Sequence, residues 1–318
     1  MTGYDDLKKM WLEHELTIRK LKRYGDVYFV HRDSSKGADT NNGEQPTSPL
    51  LTLNAAVDKC TERNNDTIIF SGRTTSGQAF SDYQSIDVRG LHLLGAGFLF
   101  GALGFDLSTY VCYHTPTAHG LGFGSPAGLL VEADSVEIAG IKFYNPDATK
   151  IQTEVGLNCD GDPGDGRACS IHDNEFQGQT GGTTDRTRGI ELIGSESTIV
   201  EKNRFYCCEY GIYLRGGSTR YAEDNIIQDN RIHSPKYGIY VDTTVAECQF
   251  LKNRISQKSI LGYAMTVGIT IPAASGNLFA ENIVGHATKG NAFSPGTGTN
   301  YWINNYYSGS GGTLYDGT

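Results

Sequence analysis

Apolar residues return along this chain in a fixed motif: an apolar residue, an anchor three positions later, and a second apolar residue two positions further on. Eight copies are readable: Val88-Leu91-Leu93, Ile138-Ile141-Phe143, Ile171-Asn174-Phe176, Val200-Asn203-Phe205, Ile227-Asn230-Ile232, Phe250-Asn253-Ile255, Phe279-Asn282-Val284 and Trp302-Asn305-Tyr307. Successive anchors stand 50, 33, 29, 27, 23, 29 and 23 residues apart, so the unit is one coil of roughly 23 residues plus insertions. Apolar residues two apart predict short strands, and a long repeat period predicts stacked coils. The pattern therefore predicts an all-β fold, a parallel β-helix.

A second strand recurs in the same coils. It reads Gly156-Leu-Asn-Cys, Gly189-Ile-Glu-Leu, Gly211-Ile-Tyr-Leu, Gly238-Ile-Tyr-Val, Gly268-Ile-Thr-Ile and Gly290-Asn-Ala-Phe. Anchor-to-glycine offsets are 15, 15, 8, 8, 15 and 8, as expected of a turn that is either bare or carries one extra loop. The glycine is expected to supply the positive φ of a tight corner. The six anchor asparagines tolerate left-handed backbone and can bond the amides of the coils above and below, which predicts a stack of amides at one corner.

Outside the repeat, residues 4–24 predict a helix with Leu7, Trp11, His14, Ile18 and Leu21 on one stripe. Asp5 and Asp6 begin it and Arg19, Lys20, Lys22 and Arg23 end it, which suits the helix dipole, and Gly25 stops it. The stripe either covers the open first coil or packs against other chains. Residues 1–25 are therefore set apart from a β-helix domain at 26–318. Strands are predicted at 28–30 and 66–70, with a short helix over 51–60. Residues 98–130 interrupt the motif as a long excursion or a degenerate coil, and the tail from Ser308 reads as a loose end.

The order of strand, Gly37-x-Asp-x-Asn-x-Gly43, Pro49-Leu-x-Thr-Leu-x-x-Ala-Val57 and Asp66-Thr-Ile-Ile69 resembles the leading segment of right-handed β-helix proteins of the pectate-lyase-like superfamily. The Asn-Arg-Phe and Asn-Arg-Ile rungs at Asn203, Asn230 and Asn253 resemble its coils, and the resemblance spans about residues 27–307. It implies a right-handed solenoid and is specific for fold but poor for function, since the superfamily holds lyases, glycoside hydrolases, epimerases and virus spike or decoration proteins. A short helix running straight into such a solenoid looks most like phage-encoded virion proteins. That resemblance implies a virion location and other virion proteins or copies of the chain as partners, a homotrimer among the assemblies open to it.

Composition narrows the classes. A formal charge of −9 argues against a nucleic-acid partner, which needs a basic stripe. No apolar run is long enough to span a membrane. The first residues lack the basic and apolar regions of a Sec signal, so synthesis in the host cytoplasm is expected unless a leader has been removed. Seven cysteines cannot all pair within one chain, and Cys159 and Cys248 at strand positions suggest buried thiols, although Cys159 and Cys169 could close the loop between them.

Strand alternation points to one outward patch. Successive rungs present Asn158 and Asp160, then Glu191, then Tyr213 and Arg215, then Tyr240 and Asp242, with Arg188, Tyr210 and Tyr237 before the glycines. Loops at 145–155, 177–188 and 256–267 would wall this aromatic floor into a groove. Tyrosines stack on sugar faces while carboxylates and arginines bond hydroxyls, so a polysaccharide is the expected ligand class. For catalysis, Glu191 and Asp242 lie two rungs apart, about 9.6 Å, near the upper end for an inverting glycosidase; Arg215 is the further candidate, as a base. Asp160, Asp162 and Asp165 form a glycine-loop cluster that suits Ca2+ in chemistry but not in EF-hand spacing, and no other cofactor is indicated. His172, His233 and His286 match no triad and read as bonded surface or corner residues.

Two functions follow. One is a structural or adhesive virion protein, a capsid decoration or tail spike that displays a glycan-binding solenoid. The other is a polysaccharide lyase or glycoside hydrolase acting in the groove.

Overall fold

The computed structural model describes residues 24–31, 34–71, 84–95, 111–113, 127–144, 152–159, 166–178, 187–233, 235–257, 265–285, 289–307 and 313–315. The helix expected at 4–24 lies outside them except for its last residue, as does most of the 98–130 excursion. Each full coil contributes one strand to each of three sheets, as Ile199–Glu201, Arg204–Tyr206 and Tyr210–Arg215 do. The first sheet holds ten strands, from Val27–His31 to Tyr301–Ile303. The second holds nine, from Val111–Tyr113 to Thr313–Tyr315, and the third eight, from Gln84–Ile86 to Phe293–Ser294. Among the described residues every pairing in these sheets is parallel except the last of the second sheet, where Thr313–Tyr315 folds back antiparallel on Asn305–Tyr307. The short helix after the first strand is Leu53–Val57, capped by Thr52, whose Oγ1 accepts the Ala55 N–H at 3.2 Å.

The repeat residues fill the core in columns. Ile171, Val200, Ile227 and Phe250 pair in register along the first sheet, and Phe143, Phe176 and Phe205 along the second. Stacked rings run Phe143–Phe176–Phe205 at 5.0 and 4.8 Å, and Phe250–Phe279–Trp302 at 4.5 and 4.4 Å. All but Trp302 are buried, so each ring both leaves water and gains offset-stacking energy from the coil beneath.

Between the first and second sheets, Asn174, Asn203, Asn230, Asn253, Asn282 and Asn305 form a continuous buried column. Asn203 is representative: its Nδ2 donates to Ile171 O at 2.8 Å and to Asn230 Oδ1 at 3.2 Å, and its backbone N–H donates to the same Oδ1 at 3.1 Å. Asn203, Asn230, Asn253 and Asn282 therefore use both donor hydrogens and both acceptor lone pairs. The asparagines themselves are not left-handed. That conformation falls on the residue before each: Asp173, Lys202, Asp229, Lys252, Glu281 and Asn304 all have φ between 49° and 57°. A non-glycine residue there costs roughly 1–2 kcal/mol, which the saturated amide beside it offsets.

The opposite corner, between the third and first sheets, repeats the device less completely. Asn225 Oδ1 accepts Thr198 N at 3.0 Å, Asn277 Oδ1 accepts Cys248 N at 3.0 Å, and Asn277 Nδ2 donates to Asn300 Oδ1 at 3.0 Å. Ser197, Asp224, Glu247 and Gly276 carry its positive φ.

Three expectations from the sequence need correction. Leu93 pairs with Ile138 and with Ile68, so the triplet Val88-Leu91-Leu93 is out of register, and Leu91 sits where Val136 sits, after a left-handed residue. Gly156 pairs with Glu191 and not beside Gly189, which puts Asn158 against Ile193 rather than Glu191, and Phe293 rather than Asn291 pairs with Ile269. The strand glycines Gly189, Gly211, Gly238 and Gly268 have no positive φ. They are small because the chain enters the core there: a Cβ on Gly189 would stand 2.5 Å from the Phe205 ring, and one on Gly268 2.3 Å from Val284.

The six described cysteines are free thiols. Cys159 Sγ donates to Gly166 O at 3.0 Å and does not bond Cys169, and burial pushes the Cys248 thiol up to about 11.

Replacing Asn230 by Leu leaves the Asn203 N–H and Nδ2 without their acceptor and Val200 O without its donor. We expect a loss of about 1–3 kcal/mol, read as a lower urea midpoint; an unchanged midpoint contradicts a stabilising amide column.

Candidate functional site

On the outer face of the third sheet, in-register pairing fixes two rows. Glu191, Tyr213, Tyr240 and Thr270 form one, and Arg188, Tyr210, Tyr237 and Val267 the other. The four tyrosines make one cluster. Tyr210 and Tyr237 stack at 4.9 Å and 16°, Tyr213 meets Tyr240 edge-on at 5.2 Å, and Tyr210 lies 5.4 Å from Tyr213. Arg188 places its guanidinium 4.7 Å above the Tyr213 ring. All four rings are partly buried.

Beneath one end of the cluster lies Glu191, 1% exposed although its strand position faces outward. Its Oε1 accepts from Arg188 at 2.7 Å and Arg215 at 2.8 Å, and its Oε2 from Thr153 Oγ1 at 2.7 Å. Burial pushes the Glu191 carboxyl up, but the Arg188 charge and the bonds from Arg188, Thr153 and Arg215 outweigh it and hold the group below the ordinary carboxylate range. Asp242 follows the next strand but one; its Oδ2 accepts from Tyr213 Oη at 3.0 Å and its Oδ1 from Thr243 N at 2.7 Å. Burial first, then Asp242, raises the Tyr213 hydroxyl above its usual range, and burial lifts Tyr210 to about 12, so both rings stay neutral.

The sequence-predicted residues Arg188, Glu191, Tyr210, Tyr213, Arg215, Tyr237, Tyr240 and Asp242 are thus brought together. A general acid must hold a proton near working pH, and Glu191 is kept ionised. Asp242 is offset two residues along the strand as well as two rungs, which places the backbones about 12 Å apart rather than 9.6 Å. Arg215 and Arg188 cannot serve as neutral bases while bonded to Glu191, because a guanidinium keeps its proton. Asp160, Asp162 and Asp165 lie outside the described residues, as do 145–151, 179–186 and 258–264 from the expected walls. Among the described residues no group of three or more His, Cys, Asp and Glu could hold a metal ion.

One cluster was missed in the sequence. On the outer face of the first sheet Thr67, His92, Glu137 and Ser170 share a row. Glu137 bonds His92 Nδ1 at 2.5 Å and His172 Nε2 at 2.8 Å, while His172 Nδ1 meets Asp173 at 2.9 Å. Tyr24, Asn65, Thr67, His92, Leu94 and Glu137 line a cavity of about 410 Å3 beside it. The signal existed: His92 and Glu137 each immediately precede an inward apolar residue, Leu93 and Ile138, that pairs in register. The misread register of Leu93 hid it. His172 is a bonded corner residue, as expected, and so is His233, which bonds Ser256 Oγ at 2.9 Å; His286 lies outside the described residues.

This cluster makes stability depend on pH. Bonds from His172 and then His92 lower Glu137 from 4.5 to about 2, so its contribution is complete above its unfolded value and is lost as pH falls towards 2. The bond to Glu137 raises His172 above 6.5, against the effect of burial, so its contribution is complete below 6.5 and is lost as pH rises through the folded value. The cluster should therefore stabilise most between about pH 4.5 and 6.5. Urea midpoints at pH 3, 5.5 and 9 should show a maximum at pH 5.5 that Glu137→Gln flattens.

Several solved structures share the fold. The pectin methylesterase of Aspergillus niger aligns over 90% of this chain and 86% of its own, with 14% identity and a TM-score of 0.52. A rhamnogalacturonan lyase aligns over 89% of this chain and 68% of its own at 11% identity and TM-score 0.52. The GH136 lacto-N-biosidase of Eubacterium ramulus aligns over 95% of this chain and 58% of its own at 12% identity and TM-score 0.50. No curated protein matches the chain in sequence. Residues 125–307, more than half of the chain and all of the coils that carry the asparagine column, match the right handed beta helix region, and the chain belongs to that family.

Proposed function

We propose that this solenoid is a non-catalytic carbohydrate-contacting protein of structural or adhesive type, with the Tyr210, Tyr213, Tyr237 and Tyr240 cluster as its binding face. The observation that carries the proposal is the set of ring contacts at 4.9 to 5.8 Å, which fixes an aromatic platform on adjacent rungs before any ligand arrives. A preformed platform spends little conformational entropy on binding. The tyrosine hydroxyls and Asp242 along it offer hydrogen bonds to sugar hydroxyls. The buried Arg188–Glu191–Arg215 group beneath acts as a base plate, since one carboxylate takes up both guanidiniums. The neighbours' names concern carbohydrates, but at 11 to 14% identity the likeness carries the fold alone.

In this proposal the chain is displayed on a virion, as decoration or spike, and residues 1–24 are the docking element towards other virion proteins or copies of the chain. That segment is outside the described residues, and the proposal rests here on its apolar stripe. Deleting residues 1–24 is expected to abolish self-association or particle binding while the solenoid keeps its unfolding transition. A loss of stability with the assembly unchanged would make the segment a cap instead.

The binding face is tested with a panel of neutral and acidic polysaccharides. We expect binding with no unsaturated ends and no new reducing sugar, weakened about tenfold or more, some 1.4 kcal/mol, by Tyr213→Ala or Tyr237→Ala. Turnover that disappears in Glu191→Gln or Asp242→Asn overturns this proposal in favour of a lyase or hydrolase. Absence of any binding removes the adhesive role and leaves a decorating spacer.

A further inference from the structure

Charges on the outer rows of this solenoid are matched from rung to rung. Lys142 meets Glu175 at 2.7 Å, Lys236 meets Glu209 at 2.9 Å, Arg215 meets Glu191 at 2.8 Å, and Glu137 takes His92 and His172. A row on the second sheet departs from this pattern. There Arg204, Arg231 and Arg254 pair in register on three successive rungs, all exposed. The same row is neutralised one coil earlier, where Lys142 and Glu175 pair with each other, and Glu175 is thereby taken up before it reaches Arg204. None of the three arginines has an ion pair to a described carboxylate.

Like charges directly opposite in a sheet destabilise it. Three in a line, in a chain of formal charge −9, make a local positive stripe whose repulsion a bound anion would relieve. Rungs are about 4.8 Å apart, so the guanidiniums form a line of about 10 Å along the solenoid axis, each a planar fork suited to a carboxylate or sulfate. Two residues further along the same strands lie Tyr206 and His233, stacked at 5.3 Å and 16°. The stripe thus has anion receptors on one side and a flat ring surface on the other, the two faces that a charged sugar presents.

We propose that Arg204, Arg231 and Arg254 bind a linear acidic polysaccharide lying along the axis, one carboxylate or sulfate to each guanidinium, with its rings against Tyr206 and His233. This surface belongs to the second sheet and does not rest on the tyrosine platform of the third. Three arginines in a chain of formal charge −9 fall short of the broad basic face that a nucleic acid needs.

The test uses the full chain with polygalacturonate, dextran sulfate, uncharged dextran and single-stranded DNA. Polygalacturonate or dextran sulfate should bind, with the carboxylated and sulfated probes separating the two anion chemistries, and uncharged dextran should not bind here. Replacing all three arginines by Gln should lower the association constant at least about tenfold and flatten the plot of its logarithm against the logarithm of salt by up to about three. Arg231→Lys should restore part of the loss seen in Arg231→Gln. The triple variant should keep or raise the thermal midpoint, because only repulsion is removed, which separates lost binding from lost folding. The fold-loss on the triple substitution should be the same in the wild-type and Tyr213→Ala backgrounds, as expected of independent sites, so the two surfaces stand or fall separately. Anionic binding that survives the triple substitution, preference for DNA over both glycans, or no binding of either acidic glycan overturns the proposal.

Discussion

The buried amide column is the constraint on which the rest of the molecule depends. A parallel solenoid has no hairpins to set its register, and a slip of one residue would turn every inward side chain outward. The asparagines prevent this because each must reach two fixed groups at once, the carbonyl oxygen of the first-sheet apolar residue one coil before and the Oδ1 of the next asparagine. Misplaced by one residue, the amide would be buried with its hydrogen bonds unmade. The left-handed residue before it turns the chain sharply enough to begin the second sheet, and amide and turn together define the corner.

Register fixed at that corner is carried outward to the surface. Because Asn203 and Asn230 are stacked, Arg204 must face Arg231, and Tyr210 must face Tyr237. The protein surface is therefore ruled into rows with the rung spacing, and the composition of a row decides what it does. Alternating signs close the surface, as at Lys142 and Glu175. Rings produce a platform, as at the tyrosines. Repeated like charge leaves a demand for an outside partner. The burial of Glu191 shows how far a row can reorganise itself: Arg188 from its own strand and Arg215 from the next rung fold over it and turn an outward carboxylate into part of the foundation.

Much of this was legible in the sequence because the column writes itself as asparagine at one position in six coils, flanked by apolar residues that alternate inward. The patch of tyrosines followed from the same alternation. What was not legible came from places where one residue type serves two ends. Glycine in the third sheet marks lack of space against Phe205 and Val284 rather than a left-handed turn, so Gly156 and Gly290 were aligned on the wrong rung. The residues that are left-handed include aspartate, lysine and glutamate, whose identity gives no sign of it. The pairing of His92 with Glu137 spans 45 positions and depends on a register that lacks an asparagine to mark it. The ionic state of Glu191 depends on where two long side chains end, which alternation does not specify.

The amide column also has a direction. Every amide-to-amide bond in it runs from an Nδ2 to the Oδ1 of the next coil, so every Oδ1 receives from the coil before, from Asn174, which takes the Ile141 N–H at 2.9 Å, to Asn305, which closes the series. Six amide dipoles are thereby aligned head to tail and polarise one another along the axis. The two ends of the column are therefore unlike: it begins on an Oδ1 used by the Ile141 backbone and ends on an amide whose Nδ2 donates back to Phe279 O, where the antiparallel strand Thr313–Tyr315 closes the second sheet. A single chain thus carries an axial polarity that its strands, one coil after another, all share.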